Sequence, residues 1–167
     1  MANRFLITFA GAIGSSKTPI AYYLSWKLNL PIFSNDSIRS EVIEDIGTLN
    51  IKEYQKRRDK RLKEIVKNGL PFIYDASVDR EWNNLKDKVK PFGYKIFIIS
   101  LDLSKKFLIS LCKKKGYKET LKRMDNLIAE HKLFLLNYKH KVKLHISDKN
   151  FNNRLELSYR KIRSWLK

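Results

Sequence analysis

Gly11-Ala12-Ile13-Gly14-Ser15-Ser16-Lys17-Thr18 is the stretch on which the reading of this chain turns. It follows G-x-x-x-x-G-K-[ST] at every fixed place but one, because Ser16 stands where the pattern has glycine. Such a loop binds phosphate only in a particular context: a buried strand before it and a helix after it. Both flanks qualify. The run Arg4 to Phe9 reads as a strand, and Thr18 to Leu28 as a helix in which Pro19 is tolerated in the first turn. Backbone N–H groups at the positive end of that helix can cradle an anion. Lys17 then reaches the outer phosphates, and the Thr18 hydroxyl binds Mg²⁺. Arg4, the apolar run after it and Ala10-Gly11-Ala12 also mimic a secretory signal, but the apolar core is short for that role.

Working outward, apolar runs alternate with helical patterns. Pro31 to Ser34, Phe72 to Tyr74, Tyr94 to Leu101 and Val142 to Ile146 read as four further strands. Helices are expected over Asp36 to Ile46, Ile51 to Lys67, Asp79 to Val89, Ser104 to Lys114, Thr120 to Tyr138 and Asn152 to Leu166, with Gly47 and Gly69 as stops and Ser104 as a cap. Strands separated by helices predict an α/β fold. It has three layers, with a parallel five-stranded sheet covered by helices on both faces. Ligands of such sheets bind at the carboxyl ends of the strands.

Polar residues stand at those ends. Asp36 and Arg39 follow the second strand and lie three apart at a helix start, so they share one face. The carboxylate can take a proton from an attacking hydroxyl, and the guanidinium can hold an anionic group in two bonds. The plain alternative makes Asp36 the helix cap. Asp75 ends the third strand, where an aspartate orients Mg²⁺ or its water. Lys113, Lys114, Lys115, Lys118, Lys122 and Arg123 bracket Gly116-Tyr117 in a lid-like segment, about residues 112–123, able to close over a triphosphate. Its alternative is a solvated charge run.

Composition narrows the classes. A chain of 167 residues, 43% of them hydrophobic, suits one domain spanning 1–167. Thirty-five Lys and Arg against seventeen Asp and Glu leave a formal charge of +18, which favours anionic partners such as nucleotides or nucleic acid. The basic residues are scattered, which equally fits a composition bias on a solvated surface. The single cysteine, Cys112, excludes an intrachain disulfide framework. No run reaches the roughly 18 apolar residues of a membrane span. A cytoplasmic protein with no membrane partner is expected. His131, His140 and His145 lack metal spacing and read as structural or surface residues; Trp26, Trp82 and Trp165 read as core or helix-packing residues.

The segments FLITFAGAIGSSKTPIAYYL, SNDSIR and FIYDAS together resemble the small P-loop kinases that include polynucleotide 5′-hydroxyl kinases and zeta-toxin-like sugar kinases, with an AAA-type ATP-binding domain. The specific part of the resemblance lies in the first eighty or so residues. It implies ATP and Mg²⁺ bound by the loop from Gly11, Ala12, Ile13, Gly14, Ser15 and Ser16 to Lys17 and Thr18, with Lys17 also serving catalysis. It further implies Asp36 as base, Arg39 and Asp75 as substrate-binding residues, and Thr18 and Asp75 at the metal. Lids of this group carry arginines; here Lys114 and Arg123 are the residues expected to meet the nucleotide. The implied activity is transfer of the γ-phosphoryl group to a hydroxyl of a small molecule or nucleic acid. Ser16 and the lysine lid keep two other readings open: a nucleotide-binding module without transferase activity, and a basic nucleic-acid-binding protein on the same scaffold.

Overall fold

In this computed structural model, which describes residues 4–167, the sheet is built from five short apolar runs. They are β1 (Phe5–Ala10), β2 (Ile32–Ser34), β3 (Phe72–Ser77), β4 (Lys95–Leu101) and β5 (Val142–Ile146). All pair in parallel, in the order β2-β3-β1-β4-β5. Every residue of β1 is buried, as expected of a central strand covered on both faces. Alternate side chains feed two cores. Ile7, Phe9 and Ile99 join Ile20, Leu24, Leu108 and Ile162 on one face. Leu6, Phe72 and Ile98 join Val42, Leu62, Val66 and Phe134 on the other.

The helices are α1 (Lys17–Leu28), α2 (Asn35–Ile46), α3 (Ile51–Lys67), α4 (Trp82–Val89), α5 (Lys105–Lys114), α6 (Lys118–Lys122), α7 (Met124–Tyr138) and α8 (Arg154–Leu166). Short 3₁₀ turns at Lys90–Phe92, Lys139–Lys141 and Phe151–Asn153 complete the list among the described residues. The α/β expectation therefore holds, with some local corrections. The helix expected from Asp79 begins at Trp82, because the Val78 amide donates to the Phe9 carbonyl and holds residues 78–81 against the end of β1. The helix expected over Thr120 to Tyr138 is broken at Arg123 into α6 and α7. Ser34, not Asp36, caps α2: its hydroxyl accepts from the Ser37 amide at 3.3 Å. Ser104 caps α5 as expected, accepting from the Phe107 amide. Trp26 is not a core residue; it is 75% exposed. No helix among the described residues is long and apolar enough to cross a membrane.

Candidate phosphoryl-transfer site

β1 ends at Ala10, and the chain turns through Gly11–Ser16 into α1. The turn is packed from below. A Cβ on Gly14, whose φ is +84°, would meet the Cys112 sulfur of α5 at 2.6 Å, so only glycine fits there. Ser16 is one of two non-glycine residues with positive φ among those described, at φ 70° and ψ 43°. A left-handed serine costs on the order of 1 kcal/mol. Its hydroxyl has a partner that glycine would lack: Lys115 Nζ donates to Ser16 Oγ at 2.8 Å and to the Gly14 carbonyl at 3.1 Å.

Lys17 folds into the loop that it follows. Its Nζ donates to the carbonyls of Gly11 at 2.9 Å and Ala12 at 2.7 Å, and to Ser15 Oγ at 3.3 Å. Burial lowers its pKa to about 8, against the opposing pull of Asp79 and Asp75. Thr18 Oγ1 lies at hydrogen-bond distance, 3.4 Å, from Asp75 Oδ1, which stands within β3 rather than at its end, because the strand runs on to Ser77 by pairing with β1. Burial raises the Asp75 pKa, opposed by the Thr18 bond and by Lys17.

These groups open onto a cleft of about 570 Å³ at the carboxyl edge of the sheet. Its walls include Lys17, Thr18, Asp36, Arg39, Asp75 and Lys115. These five expected site residues thus share one cleft with a sixth, Lys115, supplied by the basic run. Gly14, Ser16 and Ile13 line the same cleft, while Ser15 is buried beneath and Gly11 and Ala12 face an adjoining hollow with Asp79 and Glu130. The expected lid residues are distributed differently. Lys114 and Arg123 are exposed and do not line the cleft; Lys115, one residue on, reaches the loop.

The side of the cleft that carries Asp36 and Arg39 is looser. Asp36 and Arg39 pair with each other at 2.5 Å, and the Asp36 side chain is 91% exposed. The Arg39 guanidinium lies 4.8 Å from the Tyr54 ring centre, a cation–π contact that fixes its stem. Behind them Asn35 Nδ2 donates to the Tyr74 hydroxyl, which donates to Glu81. That chain uses the amide nitrogen of Asn35 and leaves Asn35 Oδ1 buried with no partner.

Beneath the loop lies a network that the sequence did not announce. The Gly11 amide is shared by both carboxylate oxygens of Asp79, at 3.1 and 3.2 Å. His131 of α7 bridges Asp79, 3.1 Å from Nδ1, and Asp102, 2.9 Å from Nε2. Asp102 also accepts from Ser100 and pairs with His145 at 2.5 Å. Two carboxylates on opposite ring nitrogens require both nitrogens to donate, so His131 is an imidazolium. Burial opposes that charge, but the bonds to Asp102 and Asp79 outweigh it and lift its pKa to about 9. Burial likewise opposes ionisation of Asp102, and its three donors outweigh it, bringing the carboxyl down to about 2. The network ties the first amide of the loop to the ends of β4 and β5. His131 lies 52 residues from Asp79 and 29 from Asp102, with no local spacing to reveal the link.

Among the described residues no group of three or more His, Cys, Asp or Glu side chains is placed to hold a metal ion. Thr18 and Asp75 offer two hard oxygen donors side by side. That set suits Mg²⁺, which takes one or two protein ligands and completes its shell with waters and substrate phosphates.

The sequence matches no family model and no curated protein. Its fold has many relatives among solved structures. A protein assigned as a kinase from Chloroflexus aurantiacus J-10-fl aligns with 95% of this chain and 98% of its own, at 13% identity and a TM-score of 0.62. Deoxyadenosine kinase from M. mycoides aligns over 96% and 99% at 19% identity, with a TM-score of 0.58. Shikimate kinase from Bacteroides thetaiotaomicron aligns over 97% and 98% at 14% identity, with a TM-score of 0.58. The chain has the fold of the P-loop kinases.

Proposed function

We propose that this chain is a kinase that uses ATP and Mg²⁺ to phosphorylate a hydroxyl of a small-molecule or nucleic-acid acceptor. The observation that carries the reading is the meeting of Lys17, Thr18 and Asp75 with Asp36 and Arg39 across one cleft at the carboxyl edge of the sheet. Phosphate-binding cations, Lys17 and Lys115, stand on one wall and a carboxylate–arginine pair on the other. The resemblance of Asp36 and Arg39 to the D-x-x-R of the small P-loop kinases, and the kinase-like fold, support the same division of labour.

In this reading Asp36 accepts the proton of the acceptor hydroxyl as its oxygen bonds to the γ-phosphorus. The bond from that phosphorus to the β,γ-bridging oxygen breaks, and ADP leaves with the electron pair. Arg39 leaves its pairing with Asp36 to hold the acceptor, which frees the carboxylate to act as base. Lys17 turns from the loop carbonyls to the phosphate oxygens, and Lys115 meets them from the lid side, a role expected at the sequence level of Lys114 and Arg123. The backbone from Gly11 to Ser16 supplies N–H donors to the same oxygens. Thr18 and Asp75 would hold Mg²⁺, which supplies charge neutralisation on the phosphates. The partnerless Asn35 Oδ1 suits an acceptor with a further hydroxyl or N–H beside the reacting one. Residues 112–123 serve as the lid over the donor site.

A screen with labelled ATP across 5′-hydroxyl oligonucleotides, nucleosides, sugars and aminoglycosides tests this reading. Transfer to one acceptor class, lost in Asp36→Asn, supports it. ATP binding without transfer to any of them would favour the binding-module reading instead.

A further inference from the structure

One exposed surface is unlike the rest of the molecule. On α1 the residues Thr18, Tyr22 and Trp26 succeed one another at intervals of four, so they line one outward face that starts at the cleft. Tyr22 is 64% exposed and Trp26 75% exposed. Large aromatics are seldom left so open unless something covers them. Lys27 Nζ stands 4.8 Å from the Trp26 ring centre and 5.6 Å from those of Tyr23 and Tyr159, the last on α8. Arg163 of α8 lies 5.9 Å from the Tyr159 ring and donates to its hydroxyl.

The charge of this face points one way. α1 contains no acidic residue, and α8 contains only Glu156. Glu156 is already engaged, accepting from the Tyr23 hydroxyl at 2.7 Å and pairing with Arg160 at 3.6 Å. Lys27 and Arg163 then remain as cations beside the rings. We propose that the α1–α8 face binds single-stranded nucleic acid, with bases stacked on Trp26 and Tyr22 and phosphates held by Lys27 and Arg163.

Open π-faces among cations suit a strand whose bases are free to splay and stack on aromatic rings. The two rings are separated by about 6 Å of helix rise. That exceeds the 3.4 Å step between bases stacked in a duplex strand, so the rings match unstacked bases better than paired ones. An anionic membrane fits less well. Tyr22 and Trp26 are the only large apolar side chains exposed on α1 and α8, and no aliphatic anchor accompanies them. The proposal does not depend on phosphoryl transfer in the cleft.

Fluorescence anisotropy with a labelled oligothymidylate of about a dozen nucleotides tests it. Trp26→Ala is expected to weaken binding by about 5- to 150-fold, the range of one lost base–aromatic stack, while Trp26→Phe keeps most of the affinity. Lys27→Ala and Arg163→Ala should each lower the slope of log affinity against log salt by about 0.7. The same sequence as a duplex should bind more weakly. Absence of binding by the unaltered protein would overturn the proposal, as would full affinity in Trp26→Ala. So would loss of oligonucleotide binding in Lys115→Ala with none in Trp26→Ala, which would move the strand to the cleft. Trp26→Ala that abolishes self-association, or binding to phosphatidylserine vesicles, while leaving oligonucleotide affinity intact would assign the face to a second copy or to a membrane.

Discussion

The two walls of the cleft are built on opposite principles. On the phosphate side almost every polar group is already committed. Gly11 is held by Asp79, Asp79 by His131 and His131 by Asp102, while Gly14 is pressed on Cys112 and Ser16 is tied to Lys115. On the proposed acceptor side the exposed Asp36 carboxylate pairs with Arg39, and Arg39 beyond that rests on the Tyr54 ring. A wall that must offer the same backbone donors at every turnover gains from being fixed in advance, because preorganised donors need no rearrangement when charge develops. A wall that must admit and release an acceptor gains from weak exposed contacts, since an exposed ion pair contributes about 1 kcal/mol or less. Substitutions on the phosphate side should therefore register in stability, and those on the acceptor side in turnover.

The largest expected effect sharpens that contrast. Asp36→Asn should lower turnover by about 10²- to 10⁴-fold if Asp36 is the base, and leave the melting temperature and ATP affinity almost unchanged. Because Ser34 caps α2, no cap is lost, and steady-state kinetics beside a thermal melt separate the two readouts. Arg39→Ala should instead raise the acceptor's KM. Near-normal turnover in Asp36→Asn would remove it from the mechanism.

Next in size is the test on the other wall. His131→Gln leaves Asp79 and Asp102 facing each other without the imidazolium. Breaking a buried pair on one side typically costs about 3 kcal/mol or more. Denaturant unfolding should show this loss, and ATP affinity should fall with it as the Gly11 amide loses its anchor. A change within 0.5 kcal/mol, the scale of an ordinary surface substitution, would mean that the network carries no such load.

The same network sets a pH window. The His131 pKa is raised on folding, from 6.5 to about 9. Its contribution is therefore complete below about 6.5 and is lost as pH rises through 9. Asp102 is shifted the other way, from 3.8 to about 2, so its contribution is complete above about 3.8 and is lost as pH falls through 2. Stability measured against pH should thus decline on the alkaline limb between about 6.5 and 9, and the decline should flatten in His131→Gln. An unaltered alkaline limb in that variant would contradict the assignment.

These walls also differed in how far they could be read from sequence. The loop was legible because its signal is local: eight consecutive residues between an apolar run and a helix-forming one. The five strands and the ends of α3 at Ile51 and Lys67 were legible for the same reason. The brace beneath the loop was not, because Asp79, Asp102, His131 and His145 come from four separate segments. The break at Arg123 left no mark either: Leu121, Met124 and Leu127 keep helical spacing and all pack on the same core, with no glycine or proline between them. Trp26 was misplaced because an aromatic at helical spacing looks the same whether its face is covered or bare.

The smallest expected effect concerns the one residue that departs from the loop pattern. Ser16→Gly relieves a left-handed serine but removes the Lys115 anchor, two changes of about 1 kcal/mol in opposite directions. Glycine alone should alter ATP affinity by less than about 5-fold. Glycine combined with Lys115→Ala should bind less tightly than Ser16→Gly, since Lys115 in the proposed reading also meets the phosphates. Calorimetry on the double-mutant cycle reads the coupling directly. Independence of the two substitutions would show that the hydroxyl–ammonium contact is incidental.

The central claim, that the loop around Lys17 is a nucleotide site, is tested most directly by thermal unfolding with and without ATP–Mg²⁺ in the unaltered protein and in Lys17→Ala. At 100 times the dissociation constant the ligand should add about 2.7 kcal/mol to the stability of the unaltered protein. For a domain of this size that raises Tm by roughly 5 to 10 °C. At a fixed ATP–Mg²⁺ concentration the gain should shrink above pH 8, because free Lys17, with a pKa of about 8, must then take up a proton to bind and the dissociation constant rises. Lys17→Ala should show little or no gain. No shift at millimolar ATP–Mg²⁺, or an equal shift in Lys17→Ala, would contradict the account.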